Sequence, residues 1–414
     1  MPDNGNKARP VRTLTVKNFS VIKEAKLEFG KITVLIGPQS SGKSLLCKLA
    51  YFLSKEVLDM AVGHISTNVD FAAFETEVKR RFAEWFPSGG WGATDWSVKL
   101  ASEGYEVTVC ARGSATQGFS ELSLKFNKRF KEIYEEQRGH SGPWTEAIPH
   151  LALRNLMGKG FWDQATYIPS ERSYFVDTQK GYRLLESQPD PIVSRFAVLY
   201  SDSLNLDFPK PRLRNHLKGE LKRGEGSWLF AFDDGRVVPL SDLSSGSKEM
   251  LPLLSALALY EHRRPATTDA GYPSNYFLYD EFFVEEPEAH LFPEKQFDLV
   301  KYFAELTNNE RLRPTFAITS HSPYILTSFN NLIEAGQAAR NNPSLRDQVA
   351  KIVPEQYWIK EGDFKAYAIE NGELKSILNE SGFVEGNYLD QVSEVIGNEF
   401  DELLRLEYEH TKSS

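Results

Sequence analysis

Lys31-Ile32-Thr33-Val34-Leu35-Ile36 runs straight into Gly37-Pro38-Gln39-Ser40-Ser41-Gly42-Lys43-Ser44, and Leu45, Leu46, Leu49 and Phe52 follow at helical spacing. A β-branched apolar run suits a buried strand, and apolar residues three and four apart suit one face of a helix. Between them stands the pattern G-x-x-x-x-G-K-[ST]. Its backbone N–H groups can surround phosphate oxygens, its lysine can neutralise β- and γ-phosphate charge, and its serine hydroxyl can reach Mg²⁺. The helix that follows turns its positive end toward the anion. The pattern alone recurs by chance in long chains. Placed between strand and helix, it predicts an ATP site formed by Gly37, Pro38, Gln39, Ser40, Ser41, Gly42, Lys43, Ser44 and Leu45, with Lys43 as the fixed cation and Ser44 on the metal.

Working outward, Thr13–Val16 and Ala25–Phe29 read as strands before the loop. The helix after it is expected over Lys43–Leu53. Residues 56–162 mix a helix at Phe71–Trp85, strands at Trp96–Leu100, Tyr105–Cys110 and Leu122–Phe126, and a charged helix at Phe130–Arg138. They are expected to form an inserted α+β lobe, too short and too poor in heptads for a coiled-coil arm. Residues 163–335 resume the core with a strand at Ala165–Pro169, helices at Ile192–Tyr200 and Pro211–Leu221, and a hairpin of Trp228–Phe232 and Val237–Pro239 about Asp233-Asp234-Gly235. A helix at Ser247–Glu261, a strand at Asn275–Val284, a helix at Glu294–Asn308 and a strand at Thr315–Thr319 complete it. Residues 336–414 read as a small α+β extension with strands at Gln356–Lys360 and Phe364–Glu370 and an acidic helix from about Tyr388 to Tyr408. The class is α/β: a mixed sheet flanked by helices plus an antiparallel β subdomain, interrupted by the α+β insertion, with residues 1–55 and 163–335 as its two halves.

Three further stretches carry chemistry. Phe282-Phe283-Val284-Glu285-Glu286-Pro287-Glu288-Ala289-His290-Leu291 is a buried strand ending in two acids. Beside a phosphate loop, the first acid can hold the Mg²⁺ shell and the second can polarise the attacking water. Asp280-Glu281 also follows an apolar run and is the alternative pair. Glu285 and Glu286 are preferred for the Pro-Glu-Ala-His-Leu context. Leu243-Ser244-Ser245-Gly246-Ser247 opens a helix, where Ser245 and Gly246 can form a second anion site and an ordinary N-cap is the equal alternative. Ile318-Thr319-Ser320-His321 delivers a histidine at a strand end, within reach of a γ-phosphate or water.

The bulk composition is permissive. The chain has 414 residues, 41% hydrophobic and 25% charged, with net charge −9. That total gives no general argument for nucleic-acid binding, and basic clusters such as Lys79-Arg80-Arg81 read as solvated helix faces before they read as a DNA-binding patch. Cys47 and Cys110 match no metal or disulfide spacing. No apolar run approaches the roughly 20 residues that span a bilayer, and no signal segment is visible, so no membrane partner and a cytoplasmic location are expected.

Phosphate loop, Ser-Gly turn, acidic strand and histidine occur in the order found in ABC-class ATPases. The phrases TLTVKNFSVIKEAKLEFGKITVLIGPQSSGKS, YIPSERS, LSSGSKEMLPLL, VEEPEAHLFP and ITSHSPYIL resemble SMC-like ATPases of the overcoming-lysogenization-defect (OLD) type. The resemblance implies an ATP-hydrolysing head that dimerises head to tail, or assembles further. Each ATP would lie between the loop of one copy and Ser245-Gly246 of another. Glu286 would be the catalytic glutamate and His321 the switch histidine. Gln164 is a candidate for a glutamine that senses the γ-phosphate. The Ser-Ser-Gly-Ser wording departs from the family's Ser-Gly-Gly. No Asp-x-Asp follows His321, so no toprim nuclease is expected in this stretch. Relatives of that kind act beside a separate effector, a nuclease or toxin, in two-gene anti-phage systems such as PARIS, with a phage protein as trigger. An SMC-like ATPase that clamps DNA is the competing expectation.

Overall fold

The computed structural model describes residues 12–92, 94–114, 118, 119, 121–139, 152, 153, 164–177, 190–208, 210–263, 280–310, 312, 314–386 and 388. The strands are β1 (Arg12–Phe19), β2 (Ile22–Phe29), β3 (Ile32–Ile36), β4 (Trp96–Ala101), β5 (Glu106–Ala111), β6 (Gly113–Ser114), β7 (Gly118–Phe119), β8 (Ser123–Phe126), β9 (Gln164–Ile168), β10 (Gly219–Arg223), β11 (Trp228–Phe232), β12 (Val237–Pro239), β13 (Asp280–Glu285), β14 (Thr315–Ser320), β15 (Phe364–Glu370) and β16 (Glu373–Ser376).

Eleven of them form one mixed sheet in the order β8-β5-β4-β1-β2-β16-β15-β3-β14-β13-β9. The β8–β2 end is an antiparallel meander, and the β15–β9 end is parallel. A separate antiparallel sheet holds β10, β11 and β12. The architecture is therefore mixed α/β with helices on both faces. The segments read as an inserted lobe and a terminal extension join the same sheet. β4 pairs with β1, and β15 lies directly beside β3.

Side chains alternate across the parallel strands because successive residues point to opposite faces. Leu35, Phe283 and Ala317 pack in one core with Leu46 and Leu49 of the loop helix Lys43–Tyr51 and with Phe52 just after it. Val34, Phe282, Val284, Phe316 and Ile318 pack in the other with Leu251, Leu254 and Leu257 of the helix Ser245–Arg263. The two helices that carry candidate site residues thus cover opposite faces of one sheet.

Several local expectations change. The loop helix stays α-helical to Tyr51, passes through a π turn at Phe52–Glu56 and continues as Val57–Ser66. The helix expected over Pro211–Leu221 ends at Leu217, because Lys218 turns left-handed (φ 57°) and the chain enters β10. A Cβ on Gly219 would lie 2.4 Å from the Ala231 carbonyl, so only glycine lets β10 approach β11 there. The strand expected at Gln356–Lys360 is instead a 3₁₀ turn, Glu355–Tyr357, after Pro354. The helix Pro323–Asn341, capped by Ser322, and strand β16 went unread. Residues 275–279 and the acidic helix expected beyond 388 lie outside the described residues.

Candidate nucleotide site

Parallel pairing aligns the ends of three strands. Ile36 lies opposite Ser320, and Thr319 lies opposite Glu285. The loop after β3, the acids after β13 and the histidine after β14 therefore leave the sheet at the same carboxyl edge, where α/β sheets hold ligands.

The loop's glycines have structural reasons. Gly37 (φ 148°) would bring a Cβ to 2.9 Å from the Ile369 carbonyl, and Gly42 (φ 105°) would bring one to 2.5 Å from Ile22. Gly42 caps the loop helix in a left-handed conformation, and Ser40 is also left-handed (φ 60°). Lys43 curls back so that Nζ donates to the carbonyls of Gly37 and Pro38, each at 2.9 Å. Burial lowers its pKa, and the carboxylates of Glu286 and Glu288 oppose that shift. The Ser41 hydroxyl is buried with no hydrogen-bond partner among the described residues. A left-handed glycine cradle, a cation facing two acids and an unspent buried hydroxyl fit a phosphate chain. Ser44 and Leu45, half-buried, open the loop helix.

Glu285 is buried at the end of β13. Tyr167 Oη donates to its Oε1 at 2.6 Å and the Ser170 N–H to its Oε2 at 3.1 Å. A carboxylate accepts about four hydrogen bonds, so capacity remains for a metal-bound water. Burial raises the pKa of Cys47, one turn along the loop helix from Ser44, and the Glu285 charge adds to that. Ser44 at the start of the loop helix and Glu285 at the end of β13 are oxygen donors of the kind a Mg²⁺ ion takes.

Glu286 follows in an uncommon left-handed backbone (φ 41°). Its N–H donates to the Thr319 carbonyl at 2.9 Å, and its carboxylate lies 3.3 Å from His321 Nε2. Glu288 Oε1 accepts from Ser320 Oγ at 2.7 Å and from the His321 N–H at 2.6 Å. The fold thus brings Lys43, Glu286 and His321 together.

The alternative acids sit elsewhere. Glu281 is four residues back along β13, roughly 13 Å from the edge at strand spacing, and is bound through both oxygens to Arg12. Burial pushes its carboxyl up to about 7 despite that arginine. Asp280 pairs in register with Gln164, so Gln164 also stands at the end of the sheet away from the loop.

Ser245 and Gly246 form the first turn of their helix. Ser244 caps it, its Oγ accepting from the Ser247 N–H at 3.4 Å, while Ser245 stays exposed. The helix start is thus capped by Ser244, with Ser245 exposed beside the cap. Gly246 packs on the turn after the acids, where a Cβ would stand 2.8 Å from the His290 carbonyl.

Tyr167, Glu288 and above all Arg172 went unread as site residues. Arg172 is fully buried, donating to the carbonyls of Glu285 (2.6 Å) and Glu286 (2.8 Å). The phrase Tyr167-Ile168-Pro169-Ser170-Glu171-Arg172 puts a charged pair in a polar stretch after a strand, which does not mark a buried arginine.

Among solved structures, the chain is similar to the SMC head domain from Thermotoga maritima, at 15% identity over 90% of this chain and 100% of that one, with a TM-score of 0.37. It is similar to an Smc head bound to the C-terminal winged-helix domain of ScpA, at 13% identity, 89% and 96% coverage and a TM-score of 0.40. It is also similar to an Smc head with an extended coiled coil bound to the C-terminal domain of ScpA derived from Pyrococcus furiosus, at 12% identity, the same coverage and a TM-score of 0.40. No curated protein matches the sequence. A family model, the AAA ATPase domain, matches residues 119–326, which include Ser245-Gly246, Glu285-Glu286 and His321. That span is half of the chain, and the protein belongs to the AAA ATPase domain family.

Proposed function

We propose that this chain binds and hydrolyses ATP as an ABC-class ATPase whose copies pair head to tail around the nucleotide. The observation that carries this is the meeting of the Lys43 loop, the Glu285-Glu286 turn and His321 at one edge of the sheet. The loop N–H groups and Lys43 hold the β- and γ-phosphates. Ser44 and Glu285 would hold Mg²⁺, which would shield phosphate charge when bound. Glu286 orients a water against the γ-phosphorus and takes its proton as the P–O bond to ADP breaks. His321, 3.3 Å from that carboxylate, orients it or contacts the transferred group. Ser245 and Gly246 open a helix on the opposite face of the sheet from the loop helix. That separation from the loop helix supports the reading that they serve the nucleotide of a second copy.

The wider role follows the OLD-type wording: a sensor subunit of an anti-phage system, controlling a separate nuclease or toxin in response to a phage component. Identification of what co-purifies from the native host tests it. An effector enzyme is the expected partner, whereas tight, salt-sensitive DNA binding by the protein alone points to a DNA clamp.

The ATPase reading has two tests. Lys43→Ala is expected to weaken ATP binding roughly a hundredfold by calorimetry, since a charged hydrogen-bonding group is lost. Unchanged affinity would overturn it. Glu286→Gln is expected to retain binding while turnover drops about 10²- to 10⁴-fold, the range for loss of a general base.

A further inference from the structure

We propose that Arg172 is a positioning residue that locks the Glu286 turn and ties it to the helix Ser245–Arg263, so that contact at the start of that helix is felt at the acid. The inference rests on the ATPase reading above.

Arg172 has no exposed surface. Nη1 donates to the carbonyls of Pro169 (3.0 Å) and Glu285 (2.6 Å), Nη2 to that of Glu286 (2.8 Å), and Nε to that of Glu249 (3.1 Å). The Glu249 carboxylate lies 3.3 Å from Nε. Four of the five guanidinium N–H groups are thus spent on three separate segments. A buried ion pair is a poor device for stability alone, since apolar residues of similar volume often serve as well or better. What a planar fork supplies is geometry.

Two of those bonds grip the carbonyls on either side of the Glu286 Cα, those of Glu285 and Glu286. Glu286 has a left-handed backbone that a glutamate rarely adopts, and it persists only where its surroundings hold it. Thr319 holds its N–H and Arg172 its carbonyl. On the other side, Glu249 lies one helical turn beyond Ser245. Pro252, inside the same helix, cannot donate to the Lys248 carbonyl. The helix is therefore weakened where Arg172 engages the adjacent Glu249 carbonyl. Gly246, against the His290 carbonyl, supplies a second contact between helix start and acid turn. In a head-to-tail pair, the nucleotide of one copy would press on Ser245-Gly246 of the other and, through Glu249 and Arg172, on that copy's own Glu286.

The test uses full-length Arg172→Lys, Glu249→Gln and the double variant, with ATP turnover per folded molecule, KM and thermal midpoint measured for each. Lysine keeps the charge but cannot bridge three segments in one plane, and glutamine removes only the helix-side charge. Each single variant is expected to lose roughly ten- to a hundredfold in kcat, the cost of misplacing a catalytic group, with KM within about threefold. The double variant is expected to be no worse than the poorer single, because partners in one network are not additive. Normal kcat in both single variants, or losses that multiply in the double, overturns the inference while leaving the ATPase reading intact. If Arg172→Lys does not fold, Glu249→Gln alone decides. Wild-type ATP affinity in Lys43→Ala would instead strike at the reading beneath it.

Discussion

Three acids within β13 and its turn have different fates because their neighbours differ. Glu281 spends both oxygens on Arg12, Glu285 accepts from Tyr167 and Ser170, and Glu286 faces His321 at the edge. Glu281→Gln removes the Glu281 charge that both guanidinium contacts of buried Arg12 meet on this side. Thermal unfolding should show a loss of roughly 3–5 kcal/mol, the cost of breaking a buried pair from one side, with kcat per folded molecule preserved. Loss of hydrolysis with unchanged stability would reverse the roles given to the two acid pairs. Gly42→Ala forces a side chain into a left-handed backbone beside Ile22. That strain is worth about 1–3 kcal/mol, and reduced ATP affinity by calorimetry is its expected sign.

At the scale of elements, the short helix Pro211–Leu217 places His216 against Tyr302, with ring centroids 5.5 Å apart. Burial lowers the His216 pKa to about 4, with Asp298 opposing and Lys295 and Arg212 assisting. The unfolded chain therefore binds this proton more tightly than the folded one. The stabilising contribution is intact above the unfolded value near 6.5 and is lost as pH falls toward 4, by at most roughly 2–3 kcal/mol. His216→Gln should flatten that part of the thermal-midpoint profile between pH 6.5 and 4. An unchanged profile would mean that His216 does not titrate with unfolding. The end of the same helix shows a limit of periodicity. Leu213, Leu217 and Leu221 keep helical spacing, yet Lys218 reverses the backbone and Leu221 belongs to a strand.

At the scale of the molecule, the loop helix and the Ser245–Arg263 helix clamp one sheet from opposite sides. On the head-to-tail reading one copy would present two half-sites, and ATP should drive pairing. In analytical ultracentrifugation, Glu286→Gln is expected to sediment as a monomer without nucleotide and as a dimer with ATP. Ser245→Arg, at an exposed position, is expected to block the dimer while leaving ATP affinity within about threefold, the surface change being local. A monomer under all conditions would overturn the head-to-tail arrangement.

The sequence by itself determined the features that depend on short spacing. These are the strand–loop–helix unit at Ile32–Tyr51, the Phe71–Trp85 helix and the strand leading to Glu285. Each depends on local periodicity, backbone freedom at glycine, or a fixed order of donor groups, all of which a linear chain displays. Tertiary structure alone decided what depends on register and burial. Parallel pairing put Ile36, Ser320 and Glu285 at one edge, although they are far apart in the chain. It also placed β15 beside the loop strand and withdrew Glu281 into an ion pair with Arg12, 269 residues away. Arg172 gained its bonds from carbonyls, which every residue possesses and no side-chain pattern marks. Hydrogen bonds to backbone atoms leave little trace in the spelling of their acceptors, and that is why Arg172 became legible only once the chain was folded.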